Sequence, residues 1–364
     1  MTATAPAVAK TSGITNSLTT GRLPKWGPWV LLGASWAILL IVFGIVAAST
    51  ATEINVPVAI FLGTILFDVM LFVLAYLVEG IRQAKNRLAT SLVVTAFIIA
   101  LLPLVSLLST VLINGLHRFD VTFFSNSMRN VVGEGGGAIH AIWGTLLITG
   151  MATLISVPVG LLTAIYLVEY GRGHLARTIT FLVDVMTGIP SIVAGLFAFA
   201  FFALITGNEG IRMGFGGAIA LSLLMIPVVV RSSEEMLKLV PNELREASYA
   251  LGVPKWLTIV KIVIPTSIAG ITTGVTLAIS RVIGETAPLL IIAGFTASLN
   301  LNLFDERMMS LPVFLYTQFQ NPGAVPQPYI DRAWAAALTL IIIVMLLNLI
   351  ARLIAKIFSP KLGR

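Results

Sequence analysis

Two charged residues, Arg281 and Glu285, lie inside a largely apolar run that follows Pro265. Spaced four apart, they are predicted to share one face of a helix. Burying either charge alone in hydrocarbon is unfavourable, so they must pair or line a wet cavity. Two readings follow. In one, a static ion pair orders the helix. In the other, the Arg281 guanidinium offers a planar fork matched to a tetrahedral oxyanion, with Glu285 holding it and partly neutralising it between one anion and the next.

A second constellation points to docking. From 231 to 265 the oily chain turns polar, and the order is specific: Glu246, Ala247, Ser248, three residues, Gly252, nine residues, then Ile262, Ile264 and Pro265. Pro241 suits a first helical turn, Glu243 and Glu246 lie near the positive end of the helix dipole, and Gly252 sits where a helix would stop. Leu244, Ala247 and Leu251 form an apolar stripe, and Pro254 can open a second helix toward Pro265. Two short helices hinged at Gly252 are predicted. They would lie in the headgroups as a surface helix or fit a soluble partner.

Other chemistry is missing. The absence of cysteine excludes disulfides, thiolate metal sites and cysteine nucleophiles. His117, His140 and His174 are scattered near span ends, so no metal site is expected. The run Gly133, Glu134, Gly135, Gly136, Gly137 lacks the Lys-Ser/Thr of a nucleotide loop and reads as a flexible lead-in to the next helix. No Walker loop occurs, so the chain is expected to be no enzyme and to bind no cofactor itself.

The elements that carry these residues are membrane helices. Of 364 residues 57% are hydrophobic and 11% charged, and apolar runs of spanning length recur without barrel-type alternation. The fold class is therefore all-α and polytopic. Eight spans are expected, at roughly 29–48, 56–79, 89–114, 138–168, 178–206, 215–230, 266–294 and 333–357. The first is read as an uncleaved anchor, because its apolar run exceeds a signal core. A kink at Pro158, or a short amphipathic piece, is allowed for in the fourth. Residues 1–25, with Lys10, Arg22 and Lys25, read as a disordered cytoplasmic tail, and 358–364 as a second tail. The loop 296–332, rich in proline, is long enough to cap an external mouth.

Charge sets the orientation. The net charge of +7 would suggest nucleic acid in a soluble chain, but here the basic residues gather at span ends. Counted with the N-terminus inside, 17 Lys and Arg lie on cytoplasmic segments and 5 outside, with Arg281 in a span. Both termini and the 231–265 segment are expected in the cytoplasm.

The 246–265 pattern resembles the conserved loop of bacterial ABC importer permeases, Glu-Ala-Ala, x3, Gly, x9, Ile-x-Leu-Pro, with Ser248 and Ile264 as conservative departures. Arg281 to Leu290, reading Arg-Val-Ile-Gly-Glu-Thr-Ala-Pro-Leu-Leu, is similar to a segment of the PstA family of phosphate-specific permeases. Gly188 to Phe197 resembles the same family, as does the stretch from Val229 and Arg231 to Pro241. The match covers roughly 89–357, the six-span core of a type I importer permease; 26–88 would be two additional transmembrane helices.

The resemblance implies an inner-membrane permease for inorganic phosphate. Its coupling helix, carrying Leu244, Glu246, Ala247, Leu251 and Gly252, would fit a groove on a cytoplasmic ATPase subunit, with Glu246 and Gly252 at the contact. Arg281, Glu285 and Arg231 would border the substrate path; Arg231 reads equally as a simple positive-inside anchor, and Asp184 as a helix-end ion-pair partner of Arg177 or another base. The implied partners are a homologous PstC-like permease, two PstB-like ATPase subunits that bind ATP, an extracytoplasmic PstS-like phosphate-binding protein and membrane lipids, with no nucleic acid. Rival readings are a permease for sulfate, molybdate or tungstate, a proton-coupled anion transporter using Glu285, and a phosphate-signalling scaffold.

Overall fold

The computed structural model describes residues 23, 24, 26–50 and 54–358. Of the expected tails, residues 1–22, 25 and 359–364, with Lys10, Arg22, Lys25, Lys361 and Arg364, lie outside the described residues. Helices α1 (Gly27–Thr50), α2 (Val56–Glu79) and α3 (Ile81–Gly115) come first, and the chain divides into two compact units within α3, at Leu107 and Leu108.

In the first unit, α1 and α2 touch where Gly63 meets Trp36. A Cβ on Gly63 would stand 2.8 Å from the indole and 3.3 Å from the Trp36 backbone, so only glycine permits this approach. Trp36 Nε1 donates to Thr64 Oγ1 at 3.1 Å, which satisfies an indole donor that lipid could not. Asn55 caps α2 by accepting from Val58 N. Two acids are met from α3: Ser91 donates to Asp68, and Arg87 forks onto Glu79.

The second unit continues with α4 (Val121–Ser125), α5 (Ile139–Ile165), α6 (His174–Thr187), α7 (Ser191–Thr206), α8 (Gly214–Lys238), α9 (Asn242–Ala250), α10 (Lys255–Thr258), α11 (Ile264–Val282), α12 (Ala287–Ile292), α13 (Leu311–Gln320) and α14 (Gln327–Phe358). Five-residue π turns close α5 at Tyr166–Tyr170 and join α10 to α11 at Ile259–Val263. Seven helices among the described residues are long and apolar enough to span a membrane, or eight if α6 and α7 form one broken span.

The core lies between α5 and α8. Ile148, Ala152, Leu221 and Met225 are wholly buried, and Gly160 lets Val229 approach so closely that a Cβ would stand 2.7 Å from its methyl. Both ends of each helix thereby become fixed points for the loops they carry.

Three segments depart from the sequence expectation. The run 178–206 is not one helix but two, bent by 109° at Gly188–Pro190. Pro190 lacks an N–H and disfavours helical geometry at Ile189, so the helix cannot continue. The run 266–294 also breaks, for a reason that bears on Arg281 and is taken up below. The 296–332 loop holds α13, and Met308 to Phe314 is buried in the core beside α5, where a Cβ on Gly144 would stand 1.9 Å from Met309 O.

The glycine run 133–137 is stitched down rather than flexible. Gly133, Gly135 and Gly136 have positive φ, and Gly137 passes so near Phe123 O that a Cβ would lie 2.4 Å away. Arg332, wholly buried, donates to Gly133 O at 2.7 Å and Gly135 O at 3.0 Å, while Arg118 donates to Gly136 O at 3.0 Å.

Candidate functional site

Arg281 and Glu285 do not share a helix face. Helix α11 ends at Val282, and residues 283–286 form a turn before α12. Pro288 causes this: it has no N–H for a continuing helix, its ring would clash with the carbonyl four residues back, and Gly284 adds backbone freedom. Pro288 instead sits in the first turn of α12, where a missing N–H costs nothing.

The consequence is electrostatic. Arg281 is exposed on the last turn of α11, Glu285 is half-buried in the turn, and neither enters an ion pair among the described residues. The static-pair reading is therefore overturned: among the described residues the Arg281 guanidinium has no carboxylate to neutralise it.

Arg231 is differently placed. It bridges Asp184 of α6 and, at 3.0 Å, Glu234 of its own helix, and Lys238 reaches Glu234 at 2.7 Å. Asp184 thus pairs with Arg231 rather than Arg177, and the network ties α6 to α8. Gly274 of α11 packs level with Ser232, since a Cβ there would stand 2.4 Å from Ser232 Oγ. Arg281 is seven residues further along α11, so it lies about 10 Å nearer the Gly214 end of α8 than Arg231 does. The two arginines occupy separate levels.

The handle forms at the other end of α8. Pro241 precedes α9, Glu243 lies in its first turn, and the chain reverses after Leu251 at Gly252, whose φ of +74° is left-handed. Pro254 then opens α10, which runs through the π turn into α11. The second element is therefore the first turns of a span, not a separate short helix. Leu244, Glu246, Ala247, Leu251 and Gly252 are all exposed, Leu251 by 83%. The apolar stripe faces away from the rest of the chain and leaves a surface that a partner can cover.

Residues 156–364 match the family described as binding-protein-dependent transport system inner membrane component. Among relatives, the phosphate transport system permease protein PstA 1 of Mycobacterium tuberculosis (strain CDC 1551 / Oshkosh) is 50% identical over 285 residues, covering 77% of this chain and 91% of that protein. The PstA protein of Yersinia pestis is 38% identical over 274 residues, covering 75% and 90%. The chain belongs to the PstA permease family. As the family requires, this permease is a multi-pass protein of the bacterial inner membrane. Solved structures agree on the fold alone: a bacterial alginate ABC transporter in complex with its pentasaccharide-bound periplasmic protein aligns with a TM-score of 0.55 at 14% identity, over 78% of this chain and 99% of that one. The MetNI methionine ABC transporter gives 0.50 at 19%, over 61% and 96%.

Two family segments of the permease prove to be neighbours. A Cβ on Gly195 of α7 would stand 2.6 Å from Pro288 Cα of α12, so the Gly188–Phe197 and Arg281–Leu290 segments pack backbone to backbone. Sequence reasoning also missed what holds the handle. Arg245 bonds Glu169 at 2.9 Å and donates to Val240 O and Leu237 O, and Ser248 shares a 2.8 Å hydrogen bond with Thr258 across the reversal. Ser248, a departure from the family alanine, thus has a partner of its own. A charged residue on the inward side of an otherwise exposed helix was the available signal for Arg245; nothing local pointed to Glu169.

Proposed function

We propose that this permease is one of two homologous membrane subunits of an ATP-driven phosphate importer. The substrate assignment rests on relatives up to 50% identical that are named for phosphate transport. The observation that carries the mechanism is Arg281: an exposed, unpaired guanidinium near the end of a spanning helix needs a polar surface, and a path shared with a PstC-like partner provides one. A tetrahedral oxyanion completes its hydrogen-bonding fork.

In this reading both termini and the 231–265 segment are cytoplasmic, and two PstB-like ATPase subunits bind ATP and act on α9. Its exposed face, Leu244, Glu246, Ala247 and Leu251 with Gly252 at the reversal, enters a groove on the ATPase. Motion passes into α5 through Arg245 and Glu169 and into α11 through α10. A PstS-like binding protein delivers phosphate on the opposite side. Residues 89–357 form the permease core, and 26–88 an accessory pair of helices. Glu285, in the turn after Arg281, lowers the local positive potential and lets the anion leave; Arg231, already bridged to two acids, guards the inner level.

The test is uptake by the whole complex in proteoliposomes, with ATP on the handle side and phosphate-loaded binding protein on the other. ATP-dependent phosphate uptake that vanishes in Arg281→Gln, with the complex intact, is the expected result. Sulfate carried in place of phosphate would remove the substrate assignment, and uptake driven by a proton gradient without ATP would remove the mechanism.

A further inference from the structure

A cavity of about 470 Å³ opens at the Gly214 end of α8, and its lining includes Arg212, Thr296, Asp305, Glu306 and Arg307. Helix α8 has 25 residues, which places this cavity roughly 37 Å from the Lys238 end that carries the handle. It is therefore on the opposite membrane face from α9.

The two arginines are built into position. Both stems pack over Gly294, where a Cβ would stand 3.1 Å from Arg212 Cδ and 3.3 Å from Arg307 Cγ; its φ of +78° also requires glycine. Arg212 lies over the Phe199 ring at 4.8 Å. Asn300 Nδ2 donates to Asp305 O at 2.8 Å and Arg307 O at 3.1 Å, which fixes the loop, and Glu306 takes a φ of +56°. Their donors are nonetheless largely unspent. Arg212 makes one side-chain bond, to Ile211 O at 3.3 Å, and Arg307 makes none among the described residues. Among the described residues neither guanidinium reaches a carboxylate, although Asp305 and Glu306 line the same cavity.

We propose that this cavity is a weak station for a phosphate group, held between the Arg212 and Arg307 guanidiniums before passage toward Arg281. Both guanidiniums line one cavity and keep donors free, and a guanidinium fork suits the oxygens of a tetrahedral oxyanion. The nearby acids lower the net positive potential, so the station releases what it holds. Its role in transport rests on the phosphate reading above; its binding chemistry does not. Free phosphate and a phospholipid headgroup share that chemistry.

The test is equilibrium binding of radiolabelled inorganic phosphate to the purified complex in phospholipid-free detergent, without binding protein. An Arg281→Gln background removes the span arginine. Arg212→Gln with Arg307→Gln should weaken binding by about tenfold or more. Asp305→Asn with Glu306→Gln should strengthen it several-fold, a result that a merely structural role for the arginines would not give. Unchanged binding in the arginine variant, or weaker binding in the acid variant, overturns the station. Competition by short-chain phosphatidylethanolamine at lower concentration than phosphate would assign the site to a headgroup, and the reverse order to the free anion. Uptake by the unmodified complex is scored separately, so failure of the station leaves the importer reading standing and failure of uptake leaves the site standing.

Discussion

Arg245 and Glu169, 76 residues apart, meet in a bridge of 2.9 Å that joins the first helix of the handle to the π turn closing α5. Their side chains are only 12% and 5% exposed. Lys255, at the start of α10, donates to the Glu169 carbonyl and lies over the Tyr170 ring at 4.7 Å. The short π turn after α5 therefore holds both sides of the Gly252 reversal, bonded to α9 through Arg245 and to α10 through Lys255.

Removing one partner strands a buried charge, which destabilises by about 3–5 kcal/mol, whereas replacing both with apolar groups of similar size is far milder. Glu169→Gln should lower the thermal inactivation midpoint of the purified complex and uncouple ATP hydrolysis from uptake. Glu169→Leu with Arg245→Met should regain most of the stability without regaining coupling. A single variant that behaves as the wild type would show that the bridge carries neither load.

The sequence was most legible where one physical signal dominated. Apolar run length located the seven spanning helices and the bent α6–α7 pair, because hydrocarbon tolerates no unsatisfied backbone, and Pro241, Gly252 and Pro254 marked the handle by their own backbone restrictions. It was misleading where two signals competed. Spacing placed Arg281 and Glu285 on one face, yet Pro288 three residues later had already ended the helix. Gly188 and Pro190 likewise signalled a break inside a run whose hydropathy suggested none. Long-range partners were invisible: Glu169 with Arg245, Asp184 with Arg231, and Gly195 with Pro288 arise only when separate helices pack.

Gly252 offers a test of the hinge free of side-chain clashes. A Cβ there would meet nothing within 4 Å, but its φ of +74° is left-handed. Gly252→Ala should therefore cost about 1–2 kcal/mol through the backbone alone, and Gly252→Asn less, because asparagine tolerates that region. Uptake and ATPase stimulation should follow the same order. Equal loss in both variants would point to a contact with the ATPase rather than to backbone conformation.

Arg332 is the counterpart on the other membrane face. Wholly buried, it donates to Gln318 Oε1 at 2.9 Å and to two glycine carbonyls, and it lies over the Tyr329 ring at 4.6 Å. Hydrogen bonds from a charged donor contribute roughly 1.5–3 kcal/mol each, so Arg332→Leu should free the 133–137 loop. Faster trypsin cleavage after the exposed Arg129 would report this. An unchanged cleavage rate would mean that Arg118 and the glycine geometry suffice.

Gly195 provides the most direct check on how the two family segments are joined. Adding a methyl there places it 2.6 Å from Pro288 Cα and 3.0 Å from Pro288 O, and these are backbone atoms that cannot swing aside. Overpacking of this kind typically costs about 1–3 kcal/mol, and relief requires α12 to move with the turn that carries Glu285. Gly195→Ala should thus lower both stability and uptake. Gly188→Ala is the control, since its methyl would come no closer than 3.5 Å to Val185 O and its backbone is ordinary for any residue. That variant should stay within about 0.5 kcal/mol of the wild type, as substitutions free of a named strain usually do. If the two variants lost stability equally, the contact between α7 and α12 would not run through Gly195, and the placement of Glu285 beside Arg281 would need another support.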